Sequence, residues 1–389
     1  MSSPNLSPRD SAHWRFTTAP MMEWSDRHCR VLFRYLAPHA RVYTEMINTG
    51  PLNYGTEEVI RNHLQFSEIE HPVALQLGGS EPAHLAVAAK IGADWGYDEI
   101  NLNCGCPSER VQRGSFGACL MAEPQLVADC VKAMVDVVPS SVPVTVKHRI
   151  GLDYNDSYEF VRDFVGTVAE AGCDVFIVHA RNAVLKGLSP KENREVPPLR
   201  YDVVAQLAKD FPALTFVLNG GLTTVVQCER VIPPPSRGRV GAGWVSIENG
   251  EEPHPHPRPP LEGEGVHGIM LGRAAYHDSY ILAKVETALY GTPLITREAV
   301  VEKMIVYARE QIATTQTHRH PTRVRDIARH MLGLFAGEVG GKAWRRMLSD
   351  PKLLNENDPD LLRRAMPYQS VGKEEFSDHR QPLLDAMTG

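Results

Sequence analysis

Cys106 is the residue whose type and position best suit proton transfer. It stands in a Gly105-Cys106-Pro107 turn directly after an apolar run, where a side chain can face a ligand. A thiol with an ordinary pKa of about 8.5 is mostly protonated at neutral pH and can donate a proton. Most cysteines are instead inert, buried hydrophobic residues. Cys119 is the main competitor for the role, and Cys104 is a second one.

The other cysteines indicate structure and compartment rather than chemistry. The chain has seven cysteines at irregular spacing and no Cys-x-x-Cys pair, so we expect reduced thiols, a cytoplasmic location and no metal site. Four of them fall on helical or strand-edge patterns and are interpreted as core residues: Cys29, Cys130, Cys173 and Cys228.

Two glycine turns predict a phosphate site. Gly220-Gly221 follows the seventh apolar run of the chain, and Gly272-Arg273 follows the eighth. Glycine lets backbone N–H groups approach a ligand closely, and the arginine adds positive charge. Either turn alone is better explained as a tight connection, but the two together favour phosphate binding.

Three further polar residues end other apolar runs. Lys147 follows the apolar stretch 142–146, and a lysine that points into a protein interior needs an anionic partner. A reduced flavin carries such a charge near its N1 atom. His179 alone is better explained as a hydrogen-bonded core histidine, and Gln76 either holds the polar edge of a flavin or caps a loop.

The elements that must position these residues repeat along the chain. Eight mostly non-alternating apolar runs are separated by amphipathic stretches such as 82–91, 123–138 and 157–171. Runs of this kind are typical of parallel strands buried on both faces, and eight of them predict an α/β fold, the (β/α)8 TIM barrel. A doubly wound open sheet is the alternative, but Ala19-Pro20-Met21-Met22 stands where its glycine-rich loop would lie. The predicted strands are 15–19, 42–46, 73–77, 99–103, 142–147, 175–179, 215–219 and 268–271.

The chain is predicted to divide into four parts. Residues 1–12 form a disordered leader, and residues 13–295 form the barrel. Residues 233–265, with eight prolines and six glycines, form a flexible insertion on the face opposite the site, dispensable for chemistry. Residues 296–350 form a C-terminal helical domain with helices at 299–311, 324–335 and 341–348, and residues 351–389 form a polar tail.

The charge distribution favours nucleic acid binding by the helical domain. The whole chain carries a net charge of −6, yet residues 303–346 hold nine lysines and arginines against three acidic residues. A solvated charged helix face is the alternative interpretation. No apolar run approaches the roughly 20 residues of a membrane span, and no feature implies a stable protein partner.

In chain order, these residues resemble the tRNA-dihydrouridine synthase family, and within it the synthase A subfamily. The resemblance covers about residues 16–348, apart from the insertion. The runs that carry it are Ala19-Pro20-Met21, Trp24 with 26–30, 43–46, 71–80, 99–103, Gly105-Cys106-Pro107-Ser108, 188–195 and 330–335.

The resemblance implies an FMN-bearing barrel that reduces uridine to 5,6-dihydrouridine in tRNA, with NADPH as the reductant. The expected targets are D-loop positions 20 and 20a. The resemblance makes Cys106 the proton donor and places Asn103 against the target uracil of the tRNA. The residues implied to contact FMN are Ala19, Pro20, Met21, Gln76, Lys147, His179, Asn219, Gly220, Gly221, Gly272 and Arg273. The others implied to contact tRNA are Lys191, Arg194, Lys342 and Arg345.

Three features depart from the family pattern. Cys104 stands where relatives usually carry an apolar residue, and Lys342 stands where an arginine is more typical. The insertion is not a family feature.

Two other functions fit part of the sequence. A barrel flavoenzyme that acts on a free pyrimidine, similar to a dihydroorotate dehydrogenase, would share the FMN site but needs no basic helical domain. A non-catalytic tRNA-binding protein would need neither Cys106 nor Lys147.

Overall fold

Eight parallel strands form the centre of the computed structural model, which describes residues 10–108, 111, 114, 116–233, 265–317 and 320–367. Each strand pairs with the next in chain order from β2 to β8, and β8 pairs with β1. Hydrogen bonds of 2.9 Å from Thr18 N to Arg41 O and from Arg41 N to Phe16 O bring β1 beside β2 and close the barrel. The strands are β1 (Phe16–Thr18), β2 (Val42–Asn48), β3 (Val73–Gly78), β4 (Glu99–Cys104), β5 (Val144–Arg149), β6 (Val175–His179), β7 (Thr215–Asn219) and β8 (Gly268–Leu271).

Helices surround the strands, as the predicted (β/α)8 TIM barrel requires. Each long helix buries an apolar stripe against the outside of the sheet. They are α1 (Arg27–Leu36), α2 (Thr49–Tyr54), α3 (Glu57–Leu64), α4 (Pro82–Trp95), α5 (Pro124–Val135), α6 (Tyr158–Glu170), α7 (Tyr201–Asp210), α8 (Val225–Val231), α9 (Arg273–His277) and α10 (Ile281–Tyr290).

Strand residues alternate between the barrel interior and the layer under the helices. In β6, Val175 and Ile177 pack inside the barrel, whereas Phe176 and Val178 join the outer core. Both faces are buried, which explains why the apolar runs show little polar alternation. The alternation also decides which polar side chains can reach a ligand at the barrel mouth.

The C-terminal helical domain extends further than predicted. It contains α11 (Arg297–Thr315), α12 (Val324–Ala328), α13 (Gly341–Leu348), α14 (Pro351–Asn355) and α15 (Leu361–Ala365). The predicted start of a polar tail at residue 351 is wrong, because Leu361, Leu362 and Ala365 are buried. The predicted helix 324–335 is also interrupted, since α12 ends at Ala328 and Met331–Gly333 forms a separate 3-10 turn. Gly333 lies close to the barrel there, because a Cβ on it would be 2.6 Å from the Tyr276 carbonyl oxygen.

The leader and the insertion fall largely outside the described residues, which omit 1–9 and 234–264. The predicted leader is too long, because Ser11–Trp14 forms a 3-10 helix in which Trp14 is buried. The insertion begins after α8, where Arg15 Nη2 donates to Pro233 O at 2.6 Å. Arg15 immediately precedes β1, so the insertion leaves from the face at the amino ends of the strands. Within the described parts of the chain, no helix has both the length and the apolarity to cross a membrane.

Candidate active site

Lys147 and Asn219 meet across the mouth of the barrel. Lys147 Nζ donates to Asn219 Oδ1 at 3.0 Å, although β6 separates their strands in the sheet. Asn219 Nδ2 in turn donates to Met270 O at 2.9 Å. Burial, followed by the positive charge of Arg149, lowers the pKa of Lys147 to about 7. Among the described residues no carboxylate pairs with this lysine, so the predicted need for an anionic partner stands.

The turn after β7 requires glycine at both predicted positions. Gly220 and Gly221 have φ angles of +109° and +72°. A Cβ would lie 2.7 Å from His179 Cδ2 at the first position and 2.3 Å from Leu199 Cδ1 at the second. The Gly220 carbonyl accepts a hydrogen bond from Tyr201 Oη at 2.7 Å, which fixes the peptide. Gly220 and Gly221 therefore form a tight backbone turn with no room for a side chain, which is called the cradle below.

Positive charge surrounds His179. Burial, and after it the charges of Arg149, Lys147 and Arg181, hold the pKa of His179 well below its ordinary value. The ring is therefore neutral at pH 7 and can take part in hydrogen bonding without adding charge.

The turn after β8 completes the same side of the mouth. Arg273 pairs with Glu195, and its Nη2 donates to the Arg194 carbonyl at 3.2 Å. Gly272 has a φ of −107° and a Cβ there would only touch Ala19 Cβ at 3.6 Å. The backbone thus does not require glycine at this position, unlike at the turn after β7.

The segment after β1 lies beside that turn. Ala19 is buried and its N–H donates to Leu271 O at 2.8 Å. Pro20 follows, and Met21 N donates to Ser25 Oγ at 2.8 Å while the Met21 side chain packs against the interior core. The predicted cofactor residues of β1, β7 and β8 therefore share one side of the barrel mouth.

Cys106 is held in place by Asn103. Asn103 Oδ1 accepts hydrogen bonds from Gly105 N at 3.1 Å and from Cys106 N at 3.0 Å. The Cys106 side chain is partly exposed, and its Sγ lies 3.6 Å from Ser108 Oγ. Lys147 is close enough to Cys106 for their charges to interact, so the Cys106 loop lies beside this interior lysine.

The competing cysteines fit proton transfer less well. Cys104 points away from the barrel interior into the outer core, and burial raises its pKa well above the ordinary value. Cys119 is partly exposed, but its Sγ donates to Phe116 O at 3.0 Å and burial raises its pKa. The four cysteines interpreted as core residues are all buried: Cys29, Cys130, Cys173 and Cys228.

Arg149 lies at the carboxyl end of the fifth strand, but the sequence reasoning assigned it no role in the site. Its Nε donates to Gly105 O at 3.1 Å, and its Nη1 donates to Asn182 O at 3.0 Å and to Asn193 O at 2.8 Å. It therefore ties the Cys106 loop to the loop after β6. Strand β5 continues two residues past its predicted end, and spacing by two from Lys147 is the signal that could have identified Arg149.

The residues expected to contact tRNA occupy two separate regions. Lys191 and Arg194 lie in the loop after β6, and both are exposed. Arg194 is close enough to Cys106 for their charges to interact. Lys342 and Arg345 are exposed on α13 of the helical domain. The structure thus brings Arg194 to the site and leaves the α13 pair on the domain beside it.

The basic character of the helical domain is partly neutralised. Arg309 pairs with Asp360 at 2.5 Å, and Arg329 pairs with Asp26 at 2.5 Å. Both carboxylates lie outside the segment 303–346, so the sequence count overstated the free charge. Arg319 of that segment lies outside the described residues.

Asp26 joins the helical domain to the barrel. Its Oδ1 accepts from His28 N and Cys29 N at 3.0 Å, which caps α1. Its Oδ2 accepts a hydrogen bond from Arg329 Nη2 and also shares a hydrogen bond of 2.9 Å with His330 Nε2. Burial alone would raise the pKa of Asp26, but the hydrogen bond and charge of His330 outweigh it and hold the pKa well below the ordinary range.

Sequence comparisons agree with this geometry. A family model described as Dihydrouridine synthase (Dus) matches residues 17–234 and 249–368. The chain belongs to the dihydrouridine synthase family. The gap between the two matched segments lies within the predicted insertion.

Curated members of the family extend over most of this chain. A protein of Pseudomonas syringae pv. tomato is 48% identical over 93% of this chain and 96% of its own length. Proteins of Shewanella oneidensis and a Synechocystis species are 44% and 46% identical over 94% and 92% of this chain, and over 97% and 96% of their own lengths. All three are named tRNA-dihydrouridine(20/20a) synthase. The predicted family is confirmed.

Proposed function

We propose that this chain is a tRNA-dihydrouridine(20/20a) synthase that uses FMN, with NADPH as the reductant and Cys106 as the proton donor. The observation that carries the proposal is the placement, around one barrel mouth, of a partly exposed thiol and a partly buried lysine that has no carboxylate partner among the described residues. The shared name of the curated relatives supports the tRNA substrate and its positions over a free pyrimidine.

The residues at the mouth fit FMN. The cradle of Gly220 and Gly221 leaves no room for a side chain, as expected where a phosphate meets backbone N–H groups. Arg273, which pairs with Glu195, lies beside it, and Lys147 offers a charge to the anionic edge of a reduced flavin. The remaining FMN contacts would come from Ala19, Pro20, Met21, Gln76, His179, Asn219 and Gly272.

The chemistry divides between cofactor and chain. FMN, when bound, supplies the hydride for the 5,6 double bond of uracil. Cys106 Sγ–H donates the proton that completes the saturation at C5. Asn103 holds the Cys106 turn through two N–H bonds and keeps an amide N–H for the base. Arg149 fixes the same turn from the other side.

The substrate is too large for the barrel mouth, so the target nucleotide must leave the folded tRNA to reach Cys106. Lys191 and Arg194 at the mouth, and Lys342 and Arg345 on α13, would neutralise phosphates on the body of the tRNA. Seven free cysteines support a cytoplasmic location, where thiols stay reduced.

The purified chain tests the proposal directly. We expect a yellow protein whose absorbance is that of oxidised flavin and is bleached by NADPH, and which forms dihydrouridine at positions 20 and 20a of unmodified tRNA. Cys106→Ala should keep flavin and tRNA binding and lose turnover by about 100-fold or more, as removal of a general acid does. Cys119→Ala is the matched control and should stay active. A colourless protein that cannot be loaded with FMN, or an active Cys106→Ala variant, would refute the corresponding part.

A further inference from the structure

A continuous chain of side-chain hydrogen bonds runs through the barrel interior beneath the site. Asn103 Nδ2 donates to Gln76 Oε1 at 2.9 Å, and Gln76 Nε2 donates to Asn101 Oδ1 at 2.7 Å. Asn101 Nδ2 donates to Thr145 Oγ1 at 2.7 Å, and Thr145 Oγ1 donates to Glu99 Oε1 at 2.5 Å. Every member is buried. This hydrogen-bond chain thus connects Glu99, deep in the barrel, to Asn103, which holds Cys106.

Glu99 is an acceptor at the closed end of the barrel. Its oxygens accept from Trp14 Nε1 at 2.8 Å and from Tyr43 Oη at 2.7 Å, and Arg41 Nη1 lies 3.4 Å away. Each of these partners brings a hydrogen, as does Thr145. Four donors around one side chain leave no place for a donor in position 99.

The two ends of this hydrogen-bond chain, at Glu99 and at Asn103, require the same direction of donation. At the closed end, Thr145 must donate to Glu99, so its oxygen is free to accept from Asn101. At the open end, two backbone N–H groups require the oxygen of Asn103, so its amide nitrogen faces Gln76. An amide can present only its oxygen or its nitrogen to a neighbour, so no link can reverse without reversing all the others.

We infer that Glu99 is a positioning residue for the reaction, acting through Thr145, Asn101 and Gln76 to fix the amide of Asn103 beneath Cys106. The inference rests on the proposed function. The same bonds leave Gln76 and Asn103 one further amide N–H each, which a ligand at the floor of the site could accept. Such a floor accepts a flat ring through its carbonyl oxygens, which both flavin and uracil carry.

The link at Thr145 allows the cleanest test, because Glu99→Gln places a donor among four donors and can prevent folding. Thr145→Val removes the hydroxyl while keeping the shape, and leaves Glu99 its bonds to Trp14 and Tyr43. Thr145→Ser keeps the hydroxyl and is the matched control. Both variants are purified with FMN bound.

The Thr145→Val enzyme should lose about tenfold in kcat while its KM for tRNA stays within about twofold, the scale of one buried hydrogen bond. The reason is that tRNA affinity is expected from basic residues outside the hydrogen-bond chain, whereas the amide orientation acts on the base alone. Thr145→Ser should match the wild type in both constants. Equal kcat values for the two variants, or a loss confined to KM, would overturn the inference.

Alkylation of Cys106 by iodoacetamide without tRNA, measured by peptide mass spectrometry, provides a readout that needs no turnover. The Cys106 rate in Thr145→Val should differ from wild type by about threefold or more, because Asn101 and Gln76 lose their anchor at Glu99 and hold the Asn103 side chain less firmly beneath the turn. Thr145→Ser should again match the wild type. If the wild-type protein forms no dihydrouridine, the proposed function fails, whereas this alkylation comparison still decides whether the chain from Thr145 positions Cys106. Identical alkylation in all three proteins would refute the positioning role.

Discussion

Gly221→Ala should damage both the stability of the protein and its capacity for flavin. The residue has a φ of +72°, and its new Cβ would lie 2.3 Å from Leu199 Cδ1 and 2.7 Å from Tyr201 Oη. Left-handed backbone costs an L-residue about 1–2 kcal/mol. Forcing a methyl group into a packed site costs about 1–3 kcal/mol more. We therefore expect the free energy of unfolding to fall by about 2–5 kcal/mol.

Gly291→Ala separates the two contributions. Gly291 ends α10 with a φ of +69°, and a Cβ added there would have no neighbouring atom within 4 Å. This variant should show the backbone cost alone, about 1–2 kcal/mol. Urea unfolding of both flavin-free variants gives the difference, which we expect to be about 1–3 kcal/mol.

Flavin binding then tests the cradle itself. If the added methyl displaces Tyr201, the 2.7 Å bond to the Gly220 carbonyl is lost and the turn no longer holds its shape. The dissociation constant for FMN should rise about tenfold, the value of one hydrogen bond of about 1.4 kcal/mol. Gly291→Ala should bind FMN as the wild type does. A Gly221→Ala protein with the stability of Gly291→Ala and unchanged FMN affinity would refute the cradle.

Four further results are expected. Burial lowers the pKa of His28 to about 3, so as pH falls below about 6.5 the unfolded chain binds a proton that the folded chain does not bind. Stability should therefore fall as pH is lowered from about 6.5 to about 3, and His28→Asn should flatten the dependence of the urea midpoint on pH. Because Lys147 has a pKa of about 7 in the flavin-free protein, the affinity for dithionite-reduced FMN, measured anaerobically by protein fluorescence, should weaken as pH rises from 7 to 9, and an unchanged affinity would show that this lysine is remote from the anion. The double variant Lys342→Ala with Arg345→Ala should weaken tRNA binding and reduce its salt dependence by roughly one to two units of log–log slope, and an unchanged slope would remove α13 from the interface. Replacing 234–264 by a short Gly/Ser linker should leave dihydrouridine formation intact, since the segment departs from the face opposite the site; loss of bound flavin would contradict that placement.

The strands of the barrel were predictable because each is buried on both faces. Six-residue apolar runs such as β3 leave few alternatives to a parallel strand once eight of them recur with helices between. Their ends were less predictable. Strand β5 starts one residue after Pro143, because proline lacks the N–H that strand pairing needs. It continues to Arg149, because the inward side chain of Arg149 has hydrogen-bond partners in the neighbouring loops.

Within the candidate site, the tight turn after β7 was predictable because few positions other than positive-φ turns require two successive glycines. The site was not predictable where the role depends on distant partners. Arg329 reads as one more basic residue until Asp26 is found 303 positions away at the edge of the barrel. In the same way, the polar tail proved to contain α15 because Asp360 pairs with Arg309 and the leucines beside it are buried.

In the layer of the barrel interior nearest the mouth, the side-chain arrangement proposed for ligand binding lowers the stability of the folded protein. Lower down, the carboxylate of Glu99 is surrounded by four donors, and apolar residues such as Ile177 fill the remaining space. At the mouth, Lys147 instead has one neutral partner, Asn219, and a pKa lowered by its own burial. Among the described residues this lysine has no anionic partner, so the proposed FMN would stabilise the folded state when it binds. The layer nearest the mouth is therefore the part of the barrel interior that the proposed FMN would complete.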